Sequence, residues 1–258
     1  MIYVCDDSIT KALGLDRSVL MEYRSKMIES PNIFPIFAIF KLDNTKPTDI
    51  KRLRIQTKEH LDFLVENLNK VIFVDFVTTR IEPTGELKEA VKFLINLGET
   101  KQNYRLRIPP ESLKDSPFEK CVNFLHSKMP WASYWINIAT VHPPGYRWHL
   151  DEIALEDESE RSEWIENVTL NFPLRGHDTT YAEVENNQTK KIYSSANFKD
   201  KLFLFDPKEN WHRIVVESGK RDVMEIRSYN VTLTNLLYVL QKCGPILEAS
   251  SERDTRKR

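Results

Sequence analysis

Glycine is scarce in this chain, with seven residues in 258, about half the average usage of ~7%. No GxGxxG and no GxxxxGKS or GxxxxGKT segment occurs. The turns that lay backbone N–H groups against a nucleotide phosphate are therefore missing, which argues against NAD-linked chemistry and nucleotide hydrolysis. Cysteine is also sparse. Cys5, Cys121 and Cys243 are far apart, odd in number and in no CxxC pair, which excludes a zinc ribbon and a disulfide framework and leaves free thiols in a reducing compartment. No apolar run approaches the ~18 residues needed to cross a bilayer. The opening Met1-Ile2-Tyr3-Val4-Cys5-Asp6-Asp7 has neither the basic start nor the apolar stretch of a signal peptide. The expectation is a cytoplasmic protein. Neither sign of charge dominates: 37 Lys and Arg face 38 Asp and Glu, a net charge of −1. Bulk charge thus predicts attraction to neither nucleic acid nor a membrane.

What is present is globular. Hydrophobic residues make up 41% and charged residues 29%, a balance that a disordered chain does not show, and the length suffices for a sizeable core. Up to about residue 130 helical and strand patterns alternate. The pattern predicts a helix over Ser8–Ile28, interrupted by Gly14, and others over Thr57–Leu68, Leu87–Leu97 (closed by Gly98) and Ser116–Lys128. Ile33–Leu42 and Val71–Thr78 read as strands. Then the texture changes. Strand patterns follow at Ala132–His142, Glu166–Leu174, Tyr181–Val184, Lys190–Tyr193, Lys201–Phe205, Arg213–Val216 and Val223–Tyr229, a density that suggests a barrel or sandwich. Thr232–Lys242 fits either a helix or a last strand, and Ser250–Arg258 should be frayed. The expected organisation is an N-terminal α/β region (1–130), a β-barrel core (131–242) and a C-terminal tail (243–258).

The candidate site lies in the second part. His149 and Asp151 stand two apart in Pro143-Pro144-Gly145-Tyr146-Arg147-Trp148-His149-Leu150-Asp151. On a strand, residues i and i+2 project to one side, so both can grip a single metal while Leu150 packs the other way. His212, in Asn210-Trp211-His212-Arg213, must come from a distant strand that a barrel brings opposite the first. Two histidines and one carboxylate can occupy one face of an iron(II) ion and leave three positions open. Taken singly, each of these residues reads as a half-buried histidine or a surface charge. The ordered set carries the signal.

That set resembles the Fe(II)/2-oxoglutarate-dependent dioxygenases, and within them its flanks are most similar to the aspartyl/asparaginyl β-hydroxylase branch. The residues that carry the resemblance are Pro144-Gly145, His149 and Asp151, Thr169-Leu170-Asn171-Phe172-Pro173-Leu174, Phe205-Asp206, His212 and Arg221. It spans roughly Tyr134 to Tyr229. One departure is Asp151, a carboxylate that many members of that branch lack. The resemblance implies an α+β protein built on a double-stranded β-helix, a jelly-roll or cupin-like barrel. It also implies iron held by His149, Asp151 and His212, 2-oxoglutarate as co-substrate with O2, and hydroxylation with release of succinate and CO2. The substrate would be a protein side chain or an amino-acid-like molecule. Arg221 takes the place of the residue that binds the distal carboxylate of 2-oxoglutarate. Arg227 is its rival, because both lie on one face of the same strand and a guanidinium engages a carboxylate through two parallel hydrogen bonds.

Other residues stay open at this level. Asn171 and Arg175 are within reach of bound 2-oxoglutarate or substrate if their strand faces inward. Only one of Tyr134 and Asn137 can point into a barrel. His60 and His126 read as structural, and His142 as a neighbour of the metal pair. His142, His149 and His177 together would suit a zinc hydrolase. The acidic stretch Glu152–Glu166 reads as a solvated loop, or as a lid that receives a cationic substrate. Two other classes of function compete: a barrel that binds metal without turnover, and a cupin-type hydrolase or isomerase, which would not need Arg221.

Overall fold

A computed structural model describes residues 1–30, 37–41, 52–55, 59, 62, 73–76, 86–100, 103–108, 112–146, 148–149, 167–249 and 251–254. Its centre is a run of long strands in which alternate residues face opposite ways. In β12 (Arg221–Tyr229), Asp222, Met224 and Ile226 face a layer of helices, while Arg221, Val223, Glu225 and Arg227 face a second sheet. β12 is flanked by β6 (Ser133–Val141) and β7 (Asn167–Arg175), both antiparallel to it. β10 (Phe203–Phe205) continues the sheet beyond β7, and β1 (Tyr3–Cys5) and β13 (Ile246–Glu248) close that edge. On the other side come β5 (Tyr104–Ile108), β2 (Phe37–Lys41), β4 (Phe73–Phe76) and β3 (Arg52–Ile55). The order of the ten strands is β13-β1-β10-β7-β12-β6-β5-β2-β4-β3, with only β3 and β4 parallel. The second sheet has four strands, β11 (Trp211–Val216), β8 (Thr180–Glu185), β9 (Lys191–Ser194) and β14 (Ser251–Asp254).

The helices are α1 (Asp7–Ala12), α2 (Arg17–Glu29), α3 (Glu86–Thr100), α4 (Glu119–Lys128) and α5 (Leu233–Gln241). The larger core joins them to the outer face of the ten-stranded sheet through Leu20, Met27, Leu125, Ile136, Met224 and Leu236. A smaller core lies between the sheets, where Ile2, Val4, Phe203 and Phe205 meet Ala182 and Val184. Strands from before residue 130 and after it share the one large sheet.

Several expectations are corrected. The single helix over Ser8–Ile28 is two: α1 ends before Gly14, which takes φ +70, and Asp16 caps α2 by accepting from Ser18 N and Val19 N. Gly98 does not close α3. The helix runs on to Thr100, and Gly98 lies so close to Tyr104 that a Cβ there would sit 2.5 Å from its ring. Thr232–Lys242 is a helix capped by Thr232. Two stretches with no predicted element, 52–55 and 104–108, are strands, the C-terminal tail supplies β13, and the segment expected to fray supplies β14. The helix expected over Thr57–Leu68 lies outside the described residues except for positions 59 and 62.

Candidate active site

The chain enters the site through a turn that only glycine permits. Gly145 takes φ +101, and a Cβ on it would fall 2.0 Å from the Ile214 carbonyl oxygen. That approach brings Gly145 and His149 antiparallel against β11, with bridges Gly145–Val215 and His149–His212. Tyr146 N donates to Ile214 O over 2.8 Å, and His149 and His212 each donate their N–H to the other's carbonyl over 2.9 Å. Directly opposed residues project to the same side of a sheet, and the two imidazole centroids lie 4.2 Å apart. His212 is 5% exposed. Its Nδ1 lies 3.2 Å from Asn210 O. A hydrogen bond to a carbonyl requires a proton on Nδ1 and so puts the lone pair on Nε2. Phe205 and Tyr146 wall the pair, with ring centroids 5.0 Å from His212 and 5.9 Å from His149. Asp151 lies outside the described residues, as do Arg147 and the acidic stretch over 152–166. Among the described residues no group of three His, Cys, Asp or Glu side chains is placed to hold a metal.

Arg221 opens β12 on the face turned toward the second sheet. It is 2% exposed, its guanidinium carbon lies 5.9 Å from the Phe203 ring centroid, and Nε and Nη1 are buried without a hydrogen-bond partner. Burial pushes its pKa down to about 10, while Glu225 and Tyr146 pull the other way. An arginine buried with unused donors costs several kcal/mol unless an anion joins it. Its rival is placed differently. Arg227 lies 3.8 Å from the Glu225 carboxylate, and Arg105 reaches the same carboxylate at 3.3 Å. Asn171 is buried, stands directly opposite Glu225 on the inner face and donates to Thr169 O over 3.4 Å.

The structure also decides the open choices. Asn137 points between the sheets and accepts from Arg107 Nε over 3.3 Å, whereas Tyr134 belongs to the helix-side core, edge-on to His126. Arg175 does not reach into the site. It pairs with Asp222 on the opposite side of the sheet at 2.5 Å. Lys220, next to Arg221, likewise turns outward to Glu99 at 2.7 Å. His142 binds Gly98 O over 2.8 Å through its ring, and its N–H donates to Asn103. His177 lies 3.5 Å from Asp178, so His142, His149 and His177 do not converge as a zinc site. His60 lies outside the described residues.

Sequence reasoning missed Tyr146, Phe203 and Phe205 as walls of the site. The last two alternate on a strand, so periodicity could have put both on the inner face, whereas Tyr146, three residues before His149, has the wrong period and carries no such signal. It also missed the ion-pair group behind Arg221, for which no local signal exists.

No family model matches the chain, and no curated protein matches it. Solved structures similar to it include a prolyl-4-hydroxylase from Pseudomonas putida (15% identity, 51% of this chain and 73% of that one, TM-score 0.35). Another is a viral collagen prolyl hydroxylase from Paramecium bursaria Chlorella virus-1 in complex with 2-oxoglutarate (16%, 54% and 88%, TM-score 0.33). A third is a ribosomal oxygenase from Escherichia coli (11%, 95% and 52%, TM-score 0.41). Likeness of this order assigns no role to any residue.

Proposed function

We propose that the chain is a non-haem Fe(II)- and 2-oxoglutarate-dependent oxygenase, a hydroxylase of a protein side chain or an amino-acid-like substrate. The observation that carries this reading is Arg221. It is a buried guanidinium with two unused donors, in the same space between the sheets as the paired imidazoles of His149 and His212. An inter-sheet space of this kind is ordinarily filled by apolar side chains. A dicarboxylate would complete the buried charge.

The strand order supports the double-stranded β-helix. From β6 onward the chain passes to Gly145 and His149, which bridge to β11, back to β7, over to β8 and β9, back to β10, over to β11 and back to β12. In this reading His149 and His212 hold iron together with Asp151, the third ligand expected from the His-x-Asp spacing. Arg221 binds the far carboxylate of 2-oxoglutarate through its planar fork, and Asn171 and Arg227 line the inner face beside it. When bound, iron(II) supplies the O2-dependent oxidation, coupled to conversion of 2-oxoglutarate to succinate and CO2, that side chains cannot perform. The protein orients and shields: Phe205 and Tyr146 exclude water around the histidines, and the Asn210 carbonyl fixes the His212 tautomer.

A cupin-type hydrolase has no use for Arg221, and its burial disfavours that alternative. Among the described residues no helix is long and apolar enough to cross a membrane; placement in the cytoplasm belongs to the proposal. The test is purified protein with Fe(II), ascorbate and 2-oxoglutarate, followed by succinate. The expected result is binding of the keto acid and substrate-dependent release of succinate. Failure to bind 2-oxoglutarate would overturn the assignment and leave a metal-binding barrel without turnover.

A further inference from the structure

Among the described residues nothing holds the Arg221 guanidinium through Nε or Nη1, so its aim must come from the backbone that carries it. That backbone is poorly held by the sheet alone. On the β7 side the pairing of β12 ends at Asp222–Arg175, and the register shifts immediately after it, between Asp222 and Val223. Arg221 has a ladder partner only in Val141 of β6. A strand end paired on one side and next to a register shift is free to roll, and a roll would swing the side chain away from the space between the sheets.

Both neighbours of Arg221 turn the other way and are gripped there. Lys220 donates to the Glu99 carboxylate over 2.7 Å and to the Glu99 carbonyl over 3.2 Å. Asp222, 0% exposed, accepts from Thr140 Oγ1 over 2.7 Å and pairs with Arg24 at 3.2 Å and Arg175 at 2.5 Å. Arg24, on α2 and itself 2% exposed, also bonds Glu99 and donates to Thr140 Oγ1 over 2.7 Å. Gly176 completes the grip, since a Cβ there would lie 2.1 Å from Lys220 O.

We infer that Glu99, Arg24 and Asp222 form a positioning frame, supplied largely by helices α2 and α3, that clamps both neighbours of Arg221 and so aims its guanidinium between the sheets. The inference rests on the reading of Arg221 as the carboxylate-binding residue. It gives the N-terminal helices a role in the site that they never touch.

The test uses the full chain with Zn(II), diamagnetic and redox-inert, in place of iron, so that no turnover occurs and the NMR signals near the site stay sharp. Two quantities are measured in Glu99→Gln and Asp222→Asn: the dissociation constant for 2-oxoglutarate, and the NMR signal of the Arg221 Nε–Hε group, identified by its loss in Arg221→Lys. Leu125→Val, in the core but outside the frame, is the control for general loss of stability. The expected result is a 2-oxoglutarate dissociation constant raised about fivefold to tenfold in each frame variant, with a shifted or broadened Arg221 signal and unchanged Zn(II) affinity. Leu125→Val should lower the melting temperature and move neither quantity. The inference is overturned if both frame variants bind 2-oxoglutarate within about twofold of wild type and the Arg221 signal stays in place. Should Asp222→Asn not fold, Glu99→Gln decides alone. A wild-type protein that binds no 2-oxoglutarate, while the frame variants still move the Arg221 signal, would retain the frame and remove the co-substrate reading.

Discussion

His149 and His212 are a hydrogen-bonded pair on antiparallel strands, each closing a 2.9 Å bond on the other's carbonyl. Their ring separation of 4.2 Å is therefore set by the backbone and does not need a metal to create it. In the proposed reading, a pair held this way loses little conformational freedom on binding an ion.

Replacing His212 by Ala should abolish iron binding, measured as metal content after reconstitution with Fe(II) and desalting. Asp151→Ala should weaken it strongly. Stoichiometric iron in the His212 variant would remove this pair from the metal site.

Arg221→Ala should raise the 2-oxoglutarate requirement roughly 30-fold or more, the loss expected when a buried carboxylate loses its partner. Iron affinity should be nearly unchanged, and Arg227→Ala should do less. The same position offers an opposite readout. Arg221→Met removes a buried, unpaired charge and should stabilise the ligand-free protein by about 1–3 kcal/mol, seen as a higher melting temperature. A melting temperature that falls would mean that the guanidinium is better solvated than its burial implies.

Glu99 gives a pH dependence. Burial alone would raise its pKa, but Arg24, Lys220 and Tyr104 together hold it down at about 2, against 4.5 when unperturbed. A carboxylate depressed in the folded state stabilises the protein fully above about pH 4.5, and that contribution is lost as the pH falls toward 2. With the side chain 21% exposed, the whole effect is at most roughly 3 kcal/mol. Melting curves of Glu99→Gln should lie below wild type at neutral pH and converge with it in acid. Parallel curves over that window would refute the assigned shift.

Gly145→Ala places a Cβ 2.0 Å from a backbone oxygen that cannot step aside without breaking the pairing that carries His149. The cost should exceed about 3 kcal/mol, with iron binding lost in parallel. Gly219→Ala is the comparison. It shares a positive φ, +70, but nothing lies within 4 Å of the added atom, so about 1 kcal/mol is expected. Equal melting temperatures for the two variants would contradict this account.

Alternation along a strand made the shared face of Arg221 and Arg227 on β12 legible. The i, i+2 spacing pairs His149 with Asp151, which lies outside the described residues. Strand β5 was missed although Tyr104, Leu106 and Ile108 alternate with Arg105 and Arg107 in it. The intervening arginines hid a short apolar pattern that β2 and β6 convert into a central strand. Arg24 was illegible in a stronger sense. On its helix it reads as a solvated cation, and its partners Glu99, Tyr104, Thr140 and Asp222 are all remote in the chain. Ion-pair groups assembled from distant segments leave no periodicity to read. The choice between helix and strand at Thr232–Lys242 turned on one local feature, the Thr232 hydroxyl that accepts from Asn235 N.

The position of β1 bears on how the molecule is made. Tyr3 is paired with Leu204 on one side and Glu248 on the other, so β1 waits for two segments made far later in the chain. Until both emerge, Ile2 and Val4 have no apolar surface to cover them, and the large sheet lacks the strand that joins β10 to β13. Pairings this distant in sequence close slowly, because the entropy of the loop is spent before the contact repays it. The β1 edge of the large sheet should therefore form late, after translation has passed Glu248.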